Sequence, residues 1–185
     1  MSPNSEPPPL EAWIKQAQNG DQQAFSDLFD HCYDIMYRYA LKWSGNATDA
    51  EDITQLSSIK MAKNIGQYRF DAAFTTWLYR LVVNTAIDWQ RQYSRHQTAE
   101  ELAPELEQEN DTGDSAGFNW VLLQQLTNRI AAMGEGFREA VVLVLGEGCS
   151  HKEAADILAI KESTVSWRIH QVRKLLTESL GGCND

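Results

Sequence analysis

Fifteen consecutive residues, EELAPELEQENDTGD (100–114), carry seven acidic side chains and no basic one. Like charge at this density cannot be buried without partners and resists compaction. Together with Pro104, Gly113 and Gly117, it makes residues 100–117 an expected flexible acidic linker. The linker divides the 185-residue chain into an N-terminal unit, 1–99, and a C-terminal unit, 118–185. A unit of about 68 residues is small enough to be only marginally stable alone.

The formal net charge of -10 is therefore not shared evenly. Residues 31–99 carry eight bases against six acids, and 115–185 carry seven against eight. Exposed charges are screened beyond about 10 Å, so the acidic linker says little about the surfaces of either half. Both halves can still present neutral or basic faces to nucleic acid.

Hydrophobic spacing in both halves is helical. LEAWIKQAQNG forms a short amphipathic helix closed by Gly20, and Phe25, Leu28, Phe29, Cys32, Ile35, Met36 and Tyr39 set a long one that stops at Gly45. Thr48 and Glu51 have the spacing of a capping box that opens a third helix running to about Gly66. After the loop QYRFDAAF, a fourth helix carries Trp77, Leu81, Asn84, Thr85 and Asp88 along one side. The C-terminal half predicts helices over Leu122–Met133 and Phe137–Leu145, punctuated by glycines. A second capping box, Ser150 to Glu153, then opens SHKEAADILA, and a tight turn leads to ESTVSWRIHQVRKLL. In this last helix Val165, Ile169, Val172 and Leu176 form the apolar face, packing with Ala154, Ala155 and Leu158. Short helix, turn and second helix with a polar outer face is the layout of a helix-turn-helix. The expected fold class is all-α.

Enzymatic chemistry finds no support. The four histidines are scattered, and HExxH, GxSxG and GxxxxGK[ST] patterns are absent. Asp49, Glu51 and Asp52 cluster at a helix start, where the helix dipole stabilises carboxylates without a metal. Three distant cysteines with no CxxC pair argue against a disulfide framework or cysteine-rich zinc site and fit a reducing cytoplasm. No apolar run reaches the roughly 20 residues of a membrane span, and no secretory signal opens the chain. No catalytic residue, metal or cofactor is expected.

Three segments in order resemble the bacterial extracytoplasmic-function (ECF) sigma factors: GDQQAFSDLFDHCYDIMYRYALKWSGNATDAEDITQ, FTTWLYRLVVNTAIDWQRQ and FREAVVLVLGEGCSHKEAADILAIKESTVSWRIHQVRKLL. The resemblance implies a σ2 helical bundle and a σ4 helix-turn-helix joined by the linker, in a cytoplasmic transcription factor that is not an enzyme. Its implied partners are core RNA polymerase and promoter DNA. On the polymerase side, σ2 would bind the β′ clamp helices through Asp49, Glu51, Asp52, Gln55, Leu56 and Lys60, and σ4 would dock on the β flap. Reading and opening of the −10 element would fall to Tyr68, Arg69, Phe70, Phe74, Trp77, Arg80, Asn84 and Arg91. The −35 element would meet Lys161, Ser163, Thr164, Ser166, Trp167, Arg168 and Gln171, with Arg173 and Lys174 on phosphate or the flap.

The residue chemistry agrees with these roles. Promoter opening requires flipped bases to be captured by aromatic surfaces beside cations, and the loop YRFDAAF with Trp77 and Arg80 offers both. Phe74, Trp77 and Leu81 fit a core equally well, and Asn84 suits either a base edge or a buried backbone group.

Several residues depart from the family pattern. Ala159 stands where a turn glycine is common, and Lys161 where a helix-capping Ser or Thr is common. Within ITQLSSIKM, Leu56 replaces an expected Glu, Ser58 an aromatic and Thr54 an aliphatic residue. Losing an acid should weaken the grip on basic clamp helices, and phosphate on Thr54, Ser57 or Ser58 would restore about -1.5 to -2 of charge. A branch of the family is switched on by a Ser/Thr kinase, and the pattern is similar here, with Thr54 favoured. An anti-sigma factor is the other implied regulator. Two rival readings remain: a helix-turn-helix regulator acting without polymerase, and an interaction protein that sequesters polymerase.

Overall fold

The computed structural model describes residues 10–100 and 129–181, with side chains over 10–93 and 129–177. The expected linker beyond Glu100 and the expected helix start at Leu122 lie outside the described residues. Every regular element among the described residues is helical: α1 (Leu10–Gln18), α2 (Gln22–Ser44), α3 (Ala47–Asn64), a 3₁₀ turn (Ile65–Gln67), α4 (Phe74–Glu100), α5 (Phe137–Val141), a π turn (Val142–Gly146), α6 (His151–Leu158) and α7 (Glu162–Gly181).

Local sequence sets most boundaries. Asp21 opens α2 by accepting the backbone N–H of Ala24 at 3.0 Å. Gly45 closes it in the left-handed region at φ 80°, donating its N–H to Leu41 O. The start of α3 differs from the Thr48–Glu51 expectation. Asn46, extended and directly after the Gly45 cap, accepts the N–H of Asp49 at 2.7 Å and begins the helix at Ala47. The two-residue turn leaves Thr48 already inside the helix, where its hydroxyl is not needed as a cap.

In the C-terminal half, residues 129–132 are helical and the chain turns at Gly134 and Gly136, both with positive φ. The helix expected over Phe137–Leu145 changes character at Val142. It widens into a π turn in which Glu147 donates its N–H to Val142 O at 2.8 Å. The Ser150–Glu153 capping box forms as expected, each residue bonding the other's backbone N–H. α6 ends at Ala159, which adopts φ 54° and ψ 41°. An alanine there bears the left-handed steric penalty that a glycine avoids, roughly 1–2 kcal/mol. Ala159→Gly should therefore raise stability by about 1 kcal/mol, and a thermal melt no higher than that of the unaltered chain would refute the reading.

The core joins the two halves. Met36, Tyr39, Trp43, Leu78 and Val82 from α2 and α4 belong to the same buried cluster as Ala140, Leu143, Ala154, Ile157, Val165 and Ile169. Polar contacts follow the same seam. Trp43 Nε1 donates to Glu139 Oε1 at 3.3 Å, and the Arg138 guanidinium lies over the Trp43 ring at 4.7 Å. Glu147 accepts from Lys42 Nζ at 2.6 Å, from the Tyr79 hydroxyl at 2.8 Å and from Arg38 at 3.4 Å. Burial works against ionisation of Glu147, but the Lys42 and Tyr79 hydrogen bonds and the charges of Lys42 and Arg38 prevail. They hold its carboxyl below the ordinary carboxylate range.

Candidate nucleic-acid and protein interfaces

The aromatic loop after α3 is built as a plate with one projecting ring. Tyr68 and Phe74 are buried, and the Tyr68 hydroxyl donates to Ala72 O at 2.7 Å. Phe70, Phe74 and Trp77 all lie within 5.7 Å of the Tyr68 ring centroid. Gln18 ties the backbone down from α1 by donating to Ile65 O and Tyr68 O. Tyr68 and Phe74 are thereby corrected from candidates for base capture to supports. Trp77 is half-buried against the same core. Phe70 is 40% exposed and sits at φ 61°, a region a bulky side chain enters only when its surroundings force it there. Lys15 lies 5.5 Å from its ring centroid, and Arg69 beside it is exposed.

Along α4, Arg80, Asn84 and Arg91 are exposed and at helical spacing, so they share a face. Asn84 is exposed and so serves no buried backbone group. Arg80 is not free: Nε and Nη2 both donate to Asp156 O on α6, the former at 3.0 Å. Arg91 pairs with Glu135 at 3.1 Å.

The outer face of α3 exposes Glu51, Asp52, Gln55 and Leu56. Ile59 is also exposed there and was missed by the sequence reading, although an isoleucine on the polar side of an amphipathic helix was a visible signal. Asp49 is partly buried; burial, with the charge of Asp52, raises its carboxyl pKa against the opposing hydrogen bond from Asn46. Lys60 pairs with Asp88 at 2.9 Å. The expected modification sites are largely overturned. Thr54 is 1% exposed and Ser57 is 0% exposed. Both face the core with Ala50, Ile53 and Met61 because they fall on the buried side of the helix. Ser58 alone is partly exposed, its hydroxyl donating to Thr54 O at 2.7 Å.

Lys161, just before α7, and Ser163, Trp167 and Arg173 on it are exposed, as is Lys174, while Thr164 and Gln171 are half-exposed. Two expected base contacts turn elsewhere. The Ser166 hydroxyl lies 2.8 Å from His151 Nδ1, tying α7 to α6. Arg168 Nη1 donates to Gly136 O at 3.2 Å, with its guanidinium over Phe137. Gly136 permits this approach: it holds φ 83°, and a side chain there would collide with the Arg168 guanidinium.

Groups of three or more His, Cys, Asp or Glu arranged to hold a metal are absent among the described residues, as is any helix long and apolar enough to cross a membrane. Residues 28–96 match the family model "Sigma-70 region 2", and 123–176 match "Sigma-70, region 4". The chain is 31% identical to the ECF RNA polymerase sigma factor SigW of Bacillus subtilis, over 90% of this chain and 94% of that protein. Among solved structures, CnrH in complex with the cytosolic domain of CnrY superposes with a TM-score of 0.68 at 21% identity, covering 94% of this chain and 97% of that one. The sigma factor RpoE in complex with the anti-sigma factor NepR from Bartonella quintana superposes with a TM-score of 0.63 at 18% identity, covering 87% and 98%. The two matched regions, in order and on the same all-helical architecture, place the chain among the ECF sigma factors of the sigma-70 family, which are transcription initiation factors and not enzymes.

Proposed function

We propose that this chain binds core RNA polymerase in the cytoplasm and directs it to a specific set of promoters. The N-terminal half opens the −10 element and α7 reads the −35 element. The observation that carries this reading is Phe70, a bulky residue held exposed at φ 61° on a plate of supporting aromatics. Strain of this kind needs a purpose, and an unpaired base stacking on the ring supplies one. Arg69 and Lys15 flank it for phosphate, and Asn84 offers a base-edge contact further along. Glu51, Asp52, Gln55 and Leu56, extended by Ile59, form the polymerase-binding face of α3, meeting the β′ clamp helices.

Arg80 can reach DNA only after leaving Asp156, so engagement of both promoter elements requires the seam between the halves to part. An anti-sigma factor is the proposed kind of regulator, supported by the complex of the structurally similar RpoE with NepR. Control by a kinase is confined to Ser58, the one accessible hydroxyl among the three considered.

Phe70→Ala should leave polymerase binding intact and abolish strand opening, read by permanganate reactivity of thymines in the −10 element. Unchanged opening by the variant would remove the principal support for this reading. Duplex binding without polymerase would instead favour the helix-turn-helix regulator, and polymerase binding without initiation the sequestering protein.

A further inference from the structure

We infer that Trp167 reads the methyl group of a thymine in the −35 element, with Phe137 fixing its position. The inference rests on the reading of α7 as the recognition helix and deepens it. Trp167 is 54% exposed, the largest apolar surface on that helix's outer face among the described residues. Its neighbours one turn away, Ser163, Thr164, His170 and Gln171, are polar and carry no carboxylate. Trp167 does not swing freely: the Phe137 ring packs against it at 5.5 Å with a 60° tilt. Phe137 is buried in a small cluster with Ile130 and Val172, so the buttress is anchored to the core of this half.

The same arrangement removes the strongest competing contact. Arg168, the only arginine near the middle of the face, is bound to Gly136 O and lies over Phe137 at 5.9 Å. Bidentate recognition of guanine by its guanidinium is therefore not presented to the groove. What projects is a rigid indole with one N–H donor and no acceptor. Among the base edges of the major groove, only thymine offers an apolar group, its C5 methyl, to such a surface. Hydroxyls and amides around it supply the polar contacts, and Lys161 and Arg173 at the margins suit phosphate.

The test uses the full chain assembled with bacterial core polymerase. Duplexes bound from a random pool define the upstream element, and each thymine in it is then replaced singly by deoxyuridine, which lacks only the methyl. One replacement should weaken binding by the unaltered chain roughly four-fold, the value of one buried methyl group. Trp167→Ala, with helical content confirmed by circular dichroism, should bind the thymine and deoxyuridine duplexes equally at that position. Phe137→Leu, which keeps the buried site apolar, should reduce the discrimination by freeing the indole. Identical thymine preferences in the unaltered chain and Trp167→Ala would overturn the inference while leaving the recognition helix in place. So would a Trp167→Ala defect confined to polymerase binding. Failure to select any upstream element would overturn the reading of α7 itself, and the inference with it.

Discussion

Thr54→Glu is expected to unfold the packing of α3 rather than imitate a phosphate. The Thr54 side chain is buried and its hydroxyl donates to Ala50 O at 2.7 Å within the helix. A carboxylate there is larger than the threonine and would share a buried face with Ala50, Ile53, Ser57 and Met61. An uncompensated buried charge costs about 3–5 kcal/mol, a large part of the roughly 5–15 kcal/mol that holds a domain together. Burial would raise the carboxyl pKa, and protonation would relieve part of the cost, so the melting temperature should recover partly as the pH is lowered. Ser58→Glu, on the accessible side of the same turn, should melt near the unaltered chain. Thermal unfolding of both variants decides the matter. A Thr54→Glu protein as stable as the parent would mean that α3 can turn this face outward, and would reopen Thr54 as a modification site.

Glu147→Ala should loosen the seam between the two halves. The Glu147 side chain is only 2% exposed and receives Lys42, Tyr79 and Arg38 at once. The Lys42 and Arg38 side chains are 41% and 56% exposed, so water can take them back. Tyr79 is less fortunate, being half-buried with its hydroxyl directed at Glu147. The expected loss is about 2 kcal/mol, typical of hydrogen bonds to a charged group. It should appear as a larger radius of gyration in small-angle scattering and a lower melting temperature. The pH dependence has a definite sign. Because the folded carboxyl lies below its unfolded value of about 4.3, its contribution is complete above that value. It is lost as the pH falls through the lower folded value. The seam should therefore be indifferent to pH around neutrality and open in acid, and a neutral-range transition would contradict the assignment to Glu147.

Much of this architecture is written in short stretches of chain. The α6 capping box needs only Ser150 and Glu153, three residues apart, and the closure of α2 needs only Gly45. The helix-turn-helix follows from the apolar spacing of Val165 and Ile169 beside Ala154 and Ala155, with Val172 continuing the face against Ile130 and Phe137. Even where the start of α3 was misplaced, the error was two residues, because Asn46 and Thr48 are both competent caps and only the backbone at Gly45 selects between them. The identity of the outward residues was less legible. Thr54 and Ser57 are polar by type and buried by position, and a helix with a weak apolar pattern does not announce which side its neighbours cover. Arg168 looked like a base reader because its helical position is outward, yet a carbonyl at Gly136 and a ring at Phe137 capture it from more than thirty residues away.

The helices, the caps of α2 and α6 and the helix-turn-helix were determined by the sequence alone, since each depends on hydrogen bonds and side-chain spacing within a turn or two. The tertiary structure decided which side chains are available and how the halves meet. Glu147 lies 105 residues from Lys42 and 68 from Tyr79. An ion pair or a burial of that kind exists only once chain closure has brought distant segments together, and no local pattern records it.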